Sequence, residues 1–405
     1  MIEKIQTKLN HLPMNQIVEW LTAAALKLKA SDIHFEAEEH IFKIRLRIDG
    51  VLEEIAQIPK ELFLPVVAQI KELSGMKIEV HQKSQDGRFK IELPDNTSYD
   101  TRVSVIPSGY GESVIIRLLR PDIAVLSLEE LGFEPQLLSI TKKIISSANG
   151  ILFVTGPTSA GKTTTLYAIL SQLNKASVKI FTIEDPIEYR LSGIIQTQVN
   201  KEEGYTFLEA LKSLLRQNPN IIMLGEVRDA ETAQAAIQAS LTGHFVLTTL
   251  HTNNAVEAIQ RLQGLGINPD DVTTSVRGII AQRLVRRLCP DCCENLAPDK
   301  ETLAEIKKQL EEIPQVYKKD VSEDIKLYQS GKCDKCHQRG FKGQIGIFEI
   351  LETTETIKKS ILASLSPTDI KKQAQKEGML TMYQDGLLKA LKGVTTLEEV
   401  QRATL

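Results

Sequence analysis

The sequence predicts an α/β fold: a small α+β domain first, then a larger unit in which strands and helices alternate. Three observations carry this. Residues 41–48 alternate Ile41, Lys43, Arg45 and Arg47 with Phe42, Ile44, Leu46 and Ile48, and Asp49-Gly50 then reads as a hairpin turn. Four later runs, Ile151–Thr155, Val178–Ile183, Ile221–Leu224 and Phe245–Leu250, are short and apolar, as suits strands covered on both faces. Helical stretches separate these runs, which makes the sheet parallel.

Taken in order, Ile17, Trp20, Leu21, Ala24 and Leu28 predict an amphipathic helix over 13–29. A second helix fits 60–74, and strands fit 88–93, 99–106 and 113–119, with turns at Pro94–Asn96 and Pro107–Gly109. Residues 1–120 thus make the α+β domain, 121–135 a linker, 136–285 the α/β core, 286–350 a cysteine-bearing element and 351–405 a helical end. Residues 299–330 are strongly charged and read as a solvated helical insert.

The chain has 405 residues, 42% hydrophobic and 25% charged, which excludes a disordered chain, a collagen and a disulfide mini-protein. Its net charge of -3 lends nucleic-acid binding no bulk support. The start lacks the apolar core of a signal peptide, and no stretch is long and apolar enough to span a membrane. A cytoplasmic protein is expected.

Gly156-Pro157-Thr158-Ser159-Ala160-Gly161-Lys162-Thr163 has the spacing of a phosphate-binding loop, with a buried strand before it and a helix opening Thr163-Thr164 after it. The glycines let backbone N–H groups curl toward phosphates, and the helix N-terminus adds its dipole. Lys162 supplies a cation at the β/γ-phosphates and Thr163 a hydroxyl for Mg²⁺.

Acids follow two of the buried strands: Glu184, Asp185 and Glu188 after one, Glu226 and Asp229 with Arg228 after another. Ligands meet the carboxyl ends of such strands, so these acids either hold a metal shell and orient water or are solvated loop residues. His251, at a third strand end, is placed to sense a γ-phosphate. Taken alone, either His244 or His251 is more commonly structural. Cys289-x-x-Cys292 and Cys333-x-x-Cys336 are two knuckles that together suit a closed structural Zn²⁺ site, with Cys293 and His337 as spare neighbours.

These motifs, in this order, resemble the hexameric secretion motors, the type II secretion and type IV pilus assembly ATPases. The resemblance runs through A-S-D-I-H-F-E (Ala30–Glu36), R-L-R-I-D-G, Q-D-G-R (Gln85–Arg88), T-R-V-S and V-I-I-R-L-L. It continues through the phosphate loop, E-D-P-I-E, G-E-V-R-D-A-E-T-A, T-G-H-F-V-L-T-T-L-H-T-N, A-Q-R-L-V-R-R-L-C-P-D-C and G-Q-I-G-I-F-E-I-L. It implies a RecA-like P-loop ATPase core that uses ATP and Mg²⁺. Glu226 would be the catalytic carboxylate and Glu188 a support for metal and water, with Asp185 beside the nucleotide. Arg102 and Arg117 would reach the γ-phosphate, and His244 and His251 would be the box histidines. It further implies a homo-oligomeric, hexameric ring at the inner face of the cytoplasmic membrane, on an inner-membrane platform protein. The tetracysteine element belongs to assembly rather than retraction motors.

The chain departs from the family at Ser159-Ala160, where Gly-Ser is usual, and in a long spacing between the cysteine pairs. Asn218 and Asn220 stand where acids are favoured, which removes charge expected near the magnesium. Longer members carry a further N-terminal region that docks on a membrane partner; this chain starts at the α+β domain. The runner-up readings are a DNA-uptake pilus motor and a RecA-like nucleic-acid motor. Arg283, Arg286 and Arg287 would serve the latter, but they lack interleaved aromatics and read more plainly as a solvated or subunit-facing helix. No direct nucleic-acid partner is expected.

Overall fold

The structure, a computed structural model, describes residues 2–9, 11–93, 97–120, 126–318 and 325–404. The expected turn at Pro94–Asn96 and the linker's first residues, 121–125, lie outside them. The chain divides near residue 121 into two compact units, the first of which also takes in Phe341–Gly343.

Alternation builds the first unit. Its strands are β1 (Ala30–Ala37), β2 (Ile41–Ile48), β3 (Val51–Pro59), β4 (Gln85–Glu92), β5 (Ser98–Ser108) and β6 (Gly111–Leu118). They form one sheet in the order β3-β2-β1-β6-β5-β4. Asp49 and Gly50 have φ of 50° and 83°, the two left-handed positions that a tight hairpin turn needs. The β5–β6 turn falls at Gly109-Tyr110 rather than at Pro107, because β5 keeps pairing with β6 as far as Ser108↔Gly111. Phe42, Ile44, Val103, Val105, Val114 and Ile116 point to one face and bury there. The helices Ile17–Lys27 and Phe63–Leu73 supply Ile17, Leu21, Val66 and Ile70 to the same core.

The second unit is built on β7 (Gly150–Thr155), β8 (Ile180–Glu184), β9 (Ile195–Gln198), β10 (Ile221–Leu224), β11 (Phe245–Leu250), β12 (Val276–Leu288) and β15 (Phe341–Glu352). The sheet order is β15-β12-β7-β11-β10-β8-β9. The pairings from β12 through β7, β11, β10 and β8 to β9 are all parallel. Ile151 and Phe153 enter one core and Leu152 and Val154 another, so both faces of β7 are covered, as its unbroken apolar run demands. Two short strands, β13 (Cys293–Leu296) and β14 (Leu327–Ser330), pair beside the cysteines. The charged insert contributes the helix Lys300–Glu312 as expected, plus β14, which its charge had hidden.

The largest correction concerns Val276–Leu288. It is no solvated helix but strand β12, in the interior of the sheet, with Ile279, Ile280, Ala281 and Val285 fully buried. Arg287 points to solvent, while Arg277 and Arg286 find polar partners within the fold, so the strand's charge does not forbid burial. Arg277 donates from Nε to the Asn149 carbonyl and from Nη2 to Asn149 Oδ1, each at 3.0 Å. Arg286 Nη2 lies 2.7 Å from Glu399 Oε1, on the terminal helix Leu397–Thr404.

Candidate active site and metal centre

In a parallel sheet every strand delivers its exit loop to the same edge. β7 ends at Thr155, and Gly156 follows with φ 153°. A Cβ on Gly156 would lie 2.5 Å from the Gln282 carbonyl oxygen, so only glycine fits. Gly161, with φ 83°, caps the helix Lys162–Leu173. Ser159 also adopts a left-handed φ, 63°, a conformation that glycine would take without strain. Gln282, which sequence reasoning had left within the A-Q-R-L run, donates from Nε2 to the Ala160 carbonyl at 2.7 Å and so ties β12 to the loop. Lys162 Nζ donates to the carbonyls of Gly156 and Pro157 at 2.8 and 2.9 Å. Burial holds its ammonium down at about 8, with Glu226 opposing and Arg283 adding to the shift.

The acids divide by environment. Glu184 is buried; it accepts from Tyr167 Oη, from Thr182 Oγ1 at 2.5 Å and from Gln196 Nε2 at 3.1 Å, which commits it to the fold. Asp229 caps the helix Ala230–Leu241 through the Thr232 N–H at 2.8 Å, again a structural task. Asp185 pairs with Lys201 at 3.0 Å. Glu188 is half-buried in the same exit segment of β8. Glu226 stands apart. It leaves β10 after Gly225, feels the charge of Lys162, and its two oxygens meet Arg228 Nη2 at 2.6 Å and His251 Nε2 at 3.4 Å. His251 thus joins Glu226. A cavity of about 460 Å³ beside them is lined by Pro157, His251, Thr252, Asn253 and Glu257. Glu349, buried on β15, anchors its wall by accepting from the Ala255 N–H at 2.9 Å.

Two expectations fail on strand direction. His244 precedes β11, and its carbonyl accepts from the Gly150 N–H, at the start of β7. A strand rises about 3.3 Å per residue, so His244 lies roughly 20 Å from the phosphate loop of its own chain and does not line that site. Asn218 and Asn220 precede β10 at the same far edge. Asn220 Oδ1 accepts from the Lys179 N–H at 2.8 Å and Asn218 takes φ 55°, so neither removes charge near a loop-bound magnesium. Asp185, Glu188 and Glu226 follow the exits of β8 and β10, but among the described residues these carboxylates are not gathered into one metal-binding group.

In the first unit, Arg102 and Arg117 face each other directly across β5 and β6. The register carries the same level across the sheet: Arg88 opposes Arg102, and Asp32 opposes both Arg117 and Arg47. All five occupy the face turned away from the core, because their chain neighbours Phe89, Val103, Ile116, Ile33 and Leu46 are buried.

The four knuckle cysteines converge, with all four sulfurs within 4.8 Å of one another. Sγ–Sγ distances are 3.8 Å for Cys289–Cys333, 3.7 Å for Cys292–Cys336 and 3.6 Å for Cys333–Cys336. A tetrahedron of zinc–sulfur bonds near 2.3 Å has edges of about 3.8 Å, so the cradle fits Zn²⁺ without rearrangement. The Gly340 N–H points at Cys336 Sγ at 3.2 Å, the kind of outer bond that steadies a thiolate. Cys293 turns instead toward the Pro290 carbonyl, and neither it nor His337 belongs to the cluster.

The profile of the type II/IV secretion system proteins matches residues 7–402. The chain belongs to that family. It is 43% identical over 392 residues to the type II secretion system protein E of Dickeya dadantii, covering 97% of this chain and 76% of that protein. It is 40% identical over 398 residues to the type IV pilus assembly ATPase PilB of Thermus thermophilus, covering 98% of this chain and 44% of that protein. Among solved structures, the pilus retraction motor PilT with bound ADP superposes with a TM-score of 0.61 at 23% identity, covering 97% of each chain, which supports the fold. The family is one of ATPases, and its members serve secretion and pilus systems. Among the described residues no helix is long and apolar enough to cross a membrane.

Proposed function

We propose that this chain is an ATP-hydrolysing motor that powers assembly of a type IV pilus or a type II secretion pseudopilus. The observation that carries the reading is Glu226 at the exit of β10, close enough for its charge to act on Lys162 after the β7 loop, one strand away across β11, within a family match over residues 7–402. ATP lies with its phosphates along Gly156–Thr164. Lys162 binds the β/γ-phosphates, and Thr163 would hold Mg²⁺. When bound, that ion neutralises charge on the phosphate oxygens. Glu226 orients the attacking water, with His251 and Arg228 fixing its carboxylate; Glu188 supports water and metal. Arg102 and Arg117 offset the negative charge that develops on the γ-phosphate. His244, far from the loop of its own chain, plays no part in that site. Cys289, Cys292, Cys333 and Cys336 hold one structural Zn²⁺. The working form is a hexameric ring docked on an inner-membrane platform protein.

The test is steady-state ATP hydrolysis by the purified chain beside Lys162→Ala, with and without single-stranded DNA, and zinc analysis beside Cys333→Ser/Cys336→Ser. Lys162-dependent turnover that ignores DNA supports the motor. Turnover that rises strongly with DNA favours a nucleic-acid motor instead. One zinc per chain, lost in the double variant, supports the metal centre, and no zinc in fresh protein refutes it.

A further inference from the structure

We infer that Asp32 is the positioning residue for Arg117, and that its carboxylate, rather than the sheet alone, aims this arginine at a nucleotide phosphate. The inference rests on the motor reading above for the identity of the anion. Asp32 lies on the sheet's outer, arginine-bearing face yet is only 5% exposed. A carboxylate buried that far is costly unless it is paired, and Asp32 is paired on both oxygens. Oδ1 accepts from Arg117 Nε at 3.1 Å. Oδ2 lies 3.4 Å from Arg47 Nε and accepts from Ser31 Oγ at 2.8 Å.

The attachment point matters. An arginine gripped through Nε keeps its planar guanidinium in a set orientation, while the two terminal amino groups remain the natural fork for a phosphate. Arg117 is half exposed, with a side-chain accessibility of 52%, so that fork meets solvent. Arg102 and Arg88 continue the same level of the sheet on β5 and β4. The row Arg47–Asp32–Arg117–Arg102–Arg88 therefore carries four cations and one anion, and the anion sits where it orders Arg117. A long arginine left free would spend rotamer entropy on each phosphate contact, and the buried clamp removes that cost beforehand.

The test measures kcat and KM for ATP in the full chain for wild type, Asp32→Asn, Arg117→Ala and the double variant. It adds melting temperatures and the ratio of ATP to ADP affinity from fluorescent-nucleotide titration. Asp32→Asn keeps the shape and removes the charge. It should lower kcat about tenfold and lower the ATP-to-ADP preference, with KM within about twofold and an unchanged melting temperature. Added to Arg117→Ala, it should cost nothing more, since a residue acting through Arg117 has nothing left to position. Asp32→Glu, which keeps the charge but moves it, should fall between. Wild-type kcat and nucleotide preference in Asp32→Asn would overturn the inference. So would a loss that multiplies with that of Arg117→Ala, the mark of a merely structural role. Hydrolysis by wild type that is independent of Lys162 would sink the motor reading instead, while the nucleotide-preference ratio would still decide Asp32.

Discussion

The two units gather charge in opposite ways. The second collects the groups of the proposed nucleotide site at one edge of a parallel sheet, where the exits of β7, β10 and β11 carry Lys162, Glu226 and His251 from distant sequence. The first collects arginines across an antiparallel sheet, at one level of register, where β2, β1, β6, β5 and β4 each contribute one residue. The edge works largely through backbone N–H groups and a helix dipole, so it tolerates few shape changes. The row works through long side chains, so it depends on whatever holds them still. The difference teaches where each unit is fragile: the edge in its glycines and loop geometry, the row in its clamp.

Removing the carboxylate at the edge should have the largest effect. Glu226→Gln should lower kcat by roughly 10²–10³-fold while ATP binding stays near wild type, measured by turnover beside nucleotide titration. Gly156→Ala tests the backbone itself. Its Cβ would meet the Gln282 carbonyl at 2.5 Å, so nucleotide affinity should fall by about tenfold or more and the melting temperature with it. An equally active Gly156→Ala protein would show that the loop is softer than its geometry. The edge should also respond to pH. Bound phosphate favours the Lys162 ammonium, whose free value is about 8, so ATP affinity should weaken about tenfold between pH 7 and pH 9. The sign for folding is the reverse: the unfolded lysine, near 10.5, holds its proton more tightly. Lys162 therefore opposes folding most below about pH 8, and that opposition fades as pH climbs toward 10.5. Lys162→Arg should flatten the binding profile. The smallest effect belongs to Ser159→Gly, which relieves a left-handed serine and should raise the melting temperature by a few degrees, worth about 1 kcal/mol, with catalysis unchanged.

The same contrast explains what the chain disclosed before its structure. The edge was legible because its parts are contiguous: a strand, a glycine loop and a helix occupy about twenty residues, and the acids follow apolar runs. Direction was harder. His244 and His251 flank one strand, and only the parallel pairing of β11 with β7 sends one to the phosphate loop and the other to the far edge. Glu184 and Asp229 look like Glu226 in sequence, and their partners, Tyr167 Oη and the Thr232 N–H, separate them. The row was hidden further, because Asp32, Arg47, Arg88, Arg102 and Arg117 share a level only once five strands are aligned. β12 misled by composition, since charge was read as exposure although Asn149 and Glu399 satisfy Arg277 and Arg286 within the fold.

β12 also has a mechanical consequence. Its middle grips the phosphate loop through Gln282, and the strand then runs on to Leu288, next to Cys289, at most about 23 Å of extended chain away. Pairing with β7 ends at Ala281, and beyond it the Arg286–Glu399 pair and the Leu288 N–H bond to the Val394 carbonyl, 2.9 Å, tie the span to the C-terminal segment. The nucleotide loop and the cysteine cluster thus share one strand and are joined in series along it. A displacement of one has a covalent route of only seven residues to the other.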